Sequence, residues 1–207
     1  MSVAERARER GITEILHYTS QKGIQGSVMK GAVLSRQQME NDEDVAYIFE
    51  GVWPRRDHVW VDYISLSISR INASLYDKSR ARYPDWWWAV MSFSPEILDH
   101  DGVWFTTTNN VYEDVLERGQ GVDGLEALFK DRVPWGYYGA VSVRRDSHPD
   151  NWPTDRQAEV LYPSTLSLDH LLCVYVPGSQ HRALVHAWCE AFNRPEYEVV
   201  VDTAVFS

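Results

Sequence analysis

Asp155-Arg156-Gln157-Ala158-Glu159-Val160-Leu161-Tyr162-Pro163 is the stretch on which the fold of this chain turns. It joins a polar, loop-like segment over 144–154 to an apolar run over 166–176. One carboxylate, Glu159, is thereby set at the mouth of a buried strand. A carboxylate between Ala158 and a Val-Leu-Tyr run is awkward to bury, because desolvation disfavours its charged form; it needs a compensating donor or a task. Most glutamates at strand starts are solvated edge residues, so Glu159 becomes a functional candidate only through what stands upstream of it.

Upstream, residues 14–18 read as a short strand with His17 near its end and Thr19-Ser20 after it. Ile24, Val28 and Met29 give the spacing of a helix over 23–30, closed by Gly31. Residues 52–58 read as a loop carrying Arg55 and Arg56. The strongest strand signal of the first half follows at 59–70, with Val59, Val61, Ile64, Leu66 and Ile68 as its apolar positions and Ser65, Ser67 and Ser69 opposite. A helix or turn over 72–83, broken at Pro84, precedes a strand over 86–93; in Trp86-Trp87-Trp88 at least one ring is expected under a helix, since strand side chains alternate.

A short helical turn over 95–99 and a strand over 103–107, ended by Asn109-Asn110, come next. Gly119 to Gly124 read as an interruption, with a helical turn over 125–129. Beyond the organising stretch lie a strand over 171–176, an amphipathic helix over 179–192 with Ala183, Leu184, Ala187 and Trp188 as its apolar face, and a last strand over 197–205. The expected class is α+β: mostly antiparallel β-sheet flanked by helices, in one domain spanning 1–207.

A hydrophobic share of 44% with nine Trp supplies a full core and leaves large rings for a binding surface. The two cysteines, Cys173 and Cys189, sit in apolar runs without metal or redox spacing, and read as free, buried, cytosolic thiols. The N-terminus is charged and lacks the apolar core of a signal peptide, and no run is long enough to span a bilayer; a cytoplasmic protein is expected. A net charge of −10 argues against a general nucleic-acid binder, although basic patches at Arg55-Arg56, Arg80 to Arg82 and Arg144-Arg145 with Arg156 can override it locally. None of the seven histidines stands at metal-ligand spacing from another ligand, so no metal is expected. Phosphate-binding glycine loops, dinucleotide fingerprints and serine elbows are absent.

The remaining candidates resemble, in order and context, the DarT family of DNA ADP-ribosyltransferases, and the resemblance covers most of the chain. Ile15-Leu16-His17-Tyr18-Thr19 is similar to the family's opening strand, an apolar pair followed by His, one residue and Thr. Asp62-Tyr63-Ile64-Ser65-Leu66 resembles its Asp-Tyr-Val-Pro strand, and Trp104-Phe105-Thr106 its Phe-Thr strand end. The most specific match is Arg156-Gln157-Ala158-Glu159-Val160-Leu161, similar to the catalytic glutamate segment. The chain departs from the best-known branch at Ser69-Arg70-Ile71-Asn72, where an Asn/Cys-Pro-Arg-Ser-Pro pattern is common, and at Gly23, near a frequent Asn.

The resemblance implies NAD as substrate, a base in single-stranded DNA as acceptor, and a toxin role with a cognate antitoxin of the ADP-ribosyl hydrolase type. It places Glu159 as the catalytic carboxylate, Arg55 or Arg56 as the active-site arginine, and His17 on NAD. Cleaving the nicotinamide–ribose bond passes through an oxocarbenium-like state, which a carboxylate near the ribose stabilises. Tyr18, Thr19, Ser65 and Ser67 are further candidates on the NAD side, as hydroxyl donors and acceptors on the same strands. Arg144, Arg145, His148, Trp152 and Arg156, in the loop before Glu159, form an aromatic and basic mixture suited to an unstacked base and its phosphates. An RNA or protein acceptor, and an inactive domain that binds a nucleotide or a partner, are the alternatives.

Overall fold

The computed structural model describes residues 1–46 and 58–207. Its strands in chain order are β1 (Ile15–Ser20), β2 (Ala32–Leu34), β3 (Tyr63–Ile68), β4 (Trp88–Phe93), β5 (Trp104–Thr106), β6 (Arg118–Gly119), β7 (Arg132–Trp135), β8 (Ala140–Val143), β9 (Glu159–Pro163), β10 (Thr165–Ser167), β11 (Leu171–Val176) and β12 (Val199–Val201). The helices are α1 (Val3–Glu9), α2 (Gln21–Lys30), α3 (Arg36–Glu40), α4 (Ala73–Arg82), α5 (Gly121–Ala127) and α6 (Ser179–Ala191). Eight strands make one sheet in the order β12-β11-β4-β1-β3-β9-β5-β6, antiparallel throughout except for the β11–β12 pair. This is the expected α+β class.

The sheet is joined in the middle by a short seam. β1 follows β4 along its whole length, from Ile15 opposite Phe93 to Ser20 opposite Trp88. It pairs with β3 only at Ile15–Ile68 and Leu16–Ser67. β3 meanwhile stays with β9, from Leu66 opposite Val160 to Tyr63 opposite Pro163. The two halves therefore part beyond Leu16, between 17–20 on one side and 63–66 on the other.

Strand alternation feeds two cores. Ile15, Ile64, Leu66, Ile68 and Val160 face the larger one, shared with Ile24 and Val28 of α2 and Val185 of α6. Leu16 and Val90 face a smaller one with Ile71, Trp88, Phe206 and Tyr76 of α4. The tryptophan triple divides accordingly: Trp87 stacks on His181 and Trp188 of α6, Trp88 enters the smaller core, and Trp86 stacks on Tyr83.

Four expectations are corrected. The first-half strand begins at Tyr63 instead of Val59; 58–60 is a 3-10 turn, and the ladder stops where Tyr63 meets Pro163, which has no N–H to offer. The Gly119–Gly124 interruption contains most of α5, because a Cβ on Gly124 would come within 2.5 Å of the Gly119 carbonyl carbon; glycine lets the helix lie on β6. The buried face of α6 is Val185 and Cys189, with His181 and Trp188 half-buried, while Leu184 is 42% exposed; the apolar stripe is rotated from the one expected. The last strand is confined to Val199–Val201.

Candidate active site

Glu159 reaches its place through the buried carboxylate four residues before it. Asp155, 1% exposed, accepts from Thr108 Oγ1 at 3.1 Å and from Gln157 N at 2.9 Å on Oδ1, and from Ser142 Oγ at 2.5 Å on Oδ2. These bonds tie the approach to β9 onto β8 and onto the segment after β5. That segment, Thr106-Thr107-Thr108-Asn109-Asn110, is buried except for half-buried Asn109, and is internally satisfied: Thr106 Oγ1 donates to the Thr108 carbonyl, and Thr107 exchanges bonds with Glu117. Its end grips Glu159. Asn110 N donates to Oε2 at 2.9 Å and Asn109 Nδ2 to Oε1 at 3.2 Å. Arg118 in turn holds Asn110, with Nε on Oδ1 at 2.8 Å and Nη2 on the carbonyl at 3.3 Å.

Glu159 lies opposite Thr106 on β5, and its side chain falls on the face of the sheet that Leu16, Tyr18 and Ser67 share. Burial, with the negative charge of Glu159 adding to it and the Ser79 hydroxyl opposing, pushes the Tyr18 phenol up to about 12. At neutral pH Tyr18 is therefore a hydroxyl donor. His17 bridges the open seam: its Nδ1 lies 3.1 Å from the Ser65 carbonyl. A carbonyl only accepts, so Nδ1 carries the proton and Nε2 is the basic nitrogen. Thr19 packs directly on Gly23 of α2, where a Cβ would collide with its Oγ1, and Ser20 caps that helix by accepting from Gly23 N. No side chain fits at position 23 in this arrangement.

The residues just before β9, Thr154 to Gln157, line a cavity of about 810 Å³. Arg145, His148, Trp152 and Arg156 line it, joined by Arg70, Ser74 and Lys78 from β3's exit and α4, and by Tyr112 and Trp135. The Arg70 guanidinium lies 4.2 Å over the Trp152 ring. His148 donates from Nε2 to the Pro153 carbonyl at 3.1 Å; burial and then the neighbouring Arg144 and Arg70 charges hold its pKa below the ordinary value. Among the described residues, no group of three or more His, Cys, Asp and Glu could hold a metal ion.

Over residues 16–207 the chain matches the family model described as "ssDNA thymidine ADP-ribosyltransferase, DarT". The chain belongs to the DarT family. The DarT of Thermus sp. 2.9 solved with ADP-ribosylated ssDNA is 15% identical, covering 95% of this chain and 97% of that one, with a TM-score of 0.62. The same protein solved with NAD+ aligns at 13% identity over 94% and 98%, with a TM-score of 0.64. Thermosipho africanus DarTG in complex with ADP-ribose aligns at 12% identity over 94% of this chain and 51% of that one, with a TM-score of 0.57. At such identities these likenesses carry the fold alone. A search of curated proteins gives no match.

Within this DarT chain the sequence candidates fall into three places. Glu159, Tyr18 and Ser67 share a face, and His17 meets Ser65 across the seam beside them. Arg145, His148, Trp152 and Arg156 meet in the cavity. Arg144 turns inward instead: Nη1 donates to the Trp152 carbonyl and Nη2 to the Pro149 carbonyl, both at 2.8 Å, so it shapes the loop. Arg55 and Arg56 lie outside the described residues. Asn109, Asn110 and Arg70 were not picked out as site residues from the sequence. The polar run Thr-Thr-Thr-Asn-Asn directly after an apolar strand was the available signal for the first two.

Proposed function

We propose that this chain transfers ADP-ribose from NAD to a thymidine base of single-stranded DNA and releases nicotinamide. Glu159 carries this reading: its carboxylate is fixed by two amide donors, and the stretch leading into it, 154–157, lines a cationic, aromatic cavity. A carboxylate bound by N–H groups keeps lone pairs for a ribose hydroxyl. There it stabilises positive charge growing at the anomeric carbon as the bond to nicotinamide breaks and its electron pair leaves with the ring. In thymidine N1 bears the sugar, so N3 is the ring nitrogen that carries a proton. N3 bonds to the anomeric carbon, and Glu159 accepts that proton. Arg55 or Arg56 pairs with the pyrophosphate. His17, Tyr18 and Thr19, with Ser65 and Ser67, position the nicotinamide ribose. Arg145, His148, Trp152 and Arg156 receive the acceptor strand, on a loop that Arg144 braces.

The chain acts as one domain over 1–207, as the toxin of a pair whose antitoxin, an ADP-ribosyl hydrolase, removes the mark. Its place is the cytoplasm, where NAD and single-stranded DNA are present and its two buried cysteines stay reduced; no helix among the described residues is long and apolar enough to cross a membrane. The net charge of −10 on its own favours a protein acceptor over a nucleic acid, but the local cations of the cavity outweigh it. Mass spectrometry of single-stranded oligonucleotides with and without thymidine, incubated with NAD and either the protein or its Glu159→Ala variant, tests the reading. An ADP-ribose adduct confined to thymidine and absent with the variant is expected. An adduct on a thymidine-free strand, or one formed by the variant, overturns it.

A further inference from the structure

The cavity before β9 gathers four cations that no ion pair among the described residues holds. Arg70, Lys78, Arg145 and Arg156 line it, and among the described residues none of the four forms an ion pair. Eight other Lys and Arg side chains do pair with carboxylates; what sets these four apart is that they line one cavity together. The one buried carboxylate nearby, Asp155, is already occupied by Thr108, Ser142 and the Gln157 amide.

Arg70 is the extreme case. It is half-buried, its Nε is buried without a hydrogen-bond partner, and its ring partner Trp152 offers a π-face and no acceptor. Burial and the like charge of Arg156 both work against its cationic form, with only Asp155 opposing. Buried guanidinium groups are ordinarily satisfied by hydrogen bonds, so a half-desolvated one pointing into an open cavity lacks an anion. Backbone geometry puts it there: Ser69, at φ 58°, turns the chain out of β3 immediately before Arg70.

We propose that Arg70 anchors a phosphodiester subsite, in which its guanidinium, with Lys78, Arg145 and Arg156 around it, binds a backbone phosphate of the single-stranded acceptor next to the modified base. This rests on the function proposed above and names how that site holds its strand. The planar fork suits two phosphate oxygens, and Trp152 fixes the plane of the fork from below. A diphosphate such as that of NAD offers the same chemistry. The acceptor strand is favoured because the cations spread from the 144–157 loop to Lys78 on α4, along a cavity that His17, Thr19 and Ser65 at the seam do not line.

The test measures binding without turnover, in a Glu159→Gln background, with a short fluorescein-labelled single-stranded oligonucleotide containing thymidine and, separately, with NAD. Adding Arg70→Gln is expected to weaken oligonucleotide binding about tenfold or more. It should also lower the slope of log affinity against log salt by about 0.7, and leave NAD affinity within about twofold. Arg70→Lys is expected to restore the salt slope but not the full affinity, because the charge returns without the fork. Loss of NAD affinity with unchanged oligonucleotide binding assigns the anion to the dinucleotide and overturns the proposal, as does no change in either. Should Arg70→Gln melt early, the exposed pair Lys78→Gln and Arg156→Gln replaces it, and an unchanged salt slope in that protein overturns the subsite. A protein that binds the strand through Arg70 yet modifies no DNA would refute the activity and leave the subsite standing.

Discussion

Two regions of this molecule handle charge in opposite ways. At the packing of α1 on α5, Glu126 receives Arg6 Nε at 2.7 Å, Arg10 Nε at 2.8 Å and Arg10 Nη2 at 2.5 Å, while the Arg10 guanidinium also lies over Phe129. The hydrogen bonds from Arg10, then those from Arg6, hold the Glu126 pKa down to about 2. Charge there is consumed by the fold. Around the cavity before β9, Arg70, Lys78, Arg145 and Arg156 are held by no carboxylate among the described residues. The two places also differ in backbone conformation. The chain leaves α1 through Gly11 at φ 73°, where glycine is at ease, but leaves β3 through Ser69 at φ 58°, which is strained for a side chain. The molecule neutralises charge where it needs only to hold together, and keeps cations unpaired around the cavity.

The sharpest break of this comparison is a matched pair of substitutions. Glu159→Gln removes the charge proposed to act at the ribose and keeps the shape of the side chain, so kcat is expected to fall on the order of 10²- to 10⁴-fold, with little change in melting temperature. Glu126→Gln is expected to do the reverse, lowering the melting temperature and leaving nicotinamide release within a few-fold of the parent. Nicotinamide release and thermal melts on both proteins check it; a Glu159→Gln protein that melts early and turns over normally would place Glu159 with Glu126 as a structural residue.

Next in size is the strained turn. Proline cannot take φ 58° and would lose the Ser69 N–H bond to the Glu14 carbonyl, so Ser69→Pro is expected to cost about 3 kcal/mol or more. Ser69→Gly is expected to stay within about 1 kcal/mol of the parent or to stabilise it, because only glycine is relaxed there. Denaturant titration of both measures the difference.

What the sequence showed was whatever periodicity and local chemistry encode. The β3 alternation, the Gly31 stop of α2, the polar approach to Glu159 and the family of the chain were all legible, because each is written in neighbouring residues. The face of α6 was not: Ala183, Leu184 and Ala187 form an apolar stripe as plausible as Val185 with Cys189, and only the tertiary position of Trp87 selects between them. Nor could the sequence show that Asn109 and Asn110 close on Glu159. They are 50 and 49 residues away along the chain, and the contact exists only because β5 pairs with β9. Arg70 stood in plain view inside a stretch that departs from a family pattern, but its lack of an ion pair is a property of the folded cavity alone.

The grip on Glu159 gives a smaller effect. Asn109→Ala removes the donor on Oε1 and leaves the Asn110 amide in place, so the carboxylate stays but swings more widely. A fall in kcat of about tenfold is expected, with the KM for NAD nearly unchanged, as for a group that positions the catalytic side chain. Steady-state kinetics separate the two constants, and a change confined to KM would mean that Asn109 meets substrate directly.

The smallest effect is a pH dependence that belongs to one region only. Glu126 titrates near the ordinary value of 4.5 when unfolded and near 2 when folded, so its pairing with Arg10 and Arg6 contributes in full above about pH 4.5. That contribution is lost progressively as pH falls through the window from 4.5 to 2, because the unfolded chain binds the proton more readily than the folded one. The Glu126 side chain is a third exposed, so solvent screening limits the contribution to about 1 kcal/mol. In denaturant titrations stepped from pH 5 to pH 2, Glu126→Gln should flatten this part of the stability curve. Arg70→Gln should leave it unchanged, since no carboxylate among the described residues gains a guanidinium partner there. An Arg70 variant that flattened the curve as Glu126→Gln does would mean that the cavity cations are paired in solution, and the contrast between the two regions would fall with it.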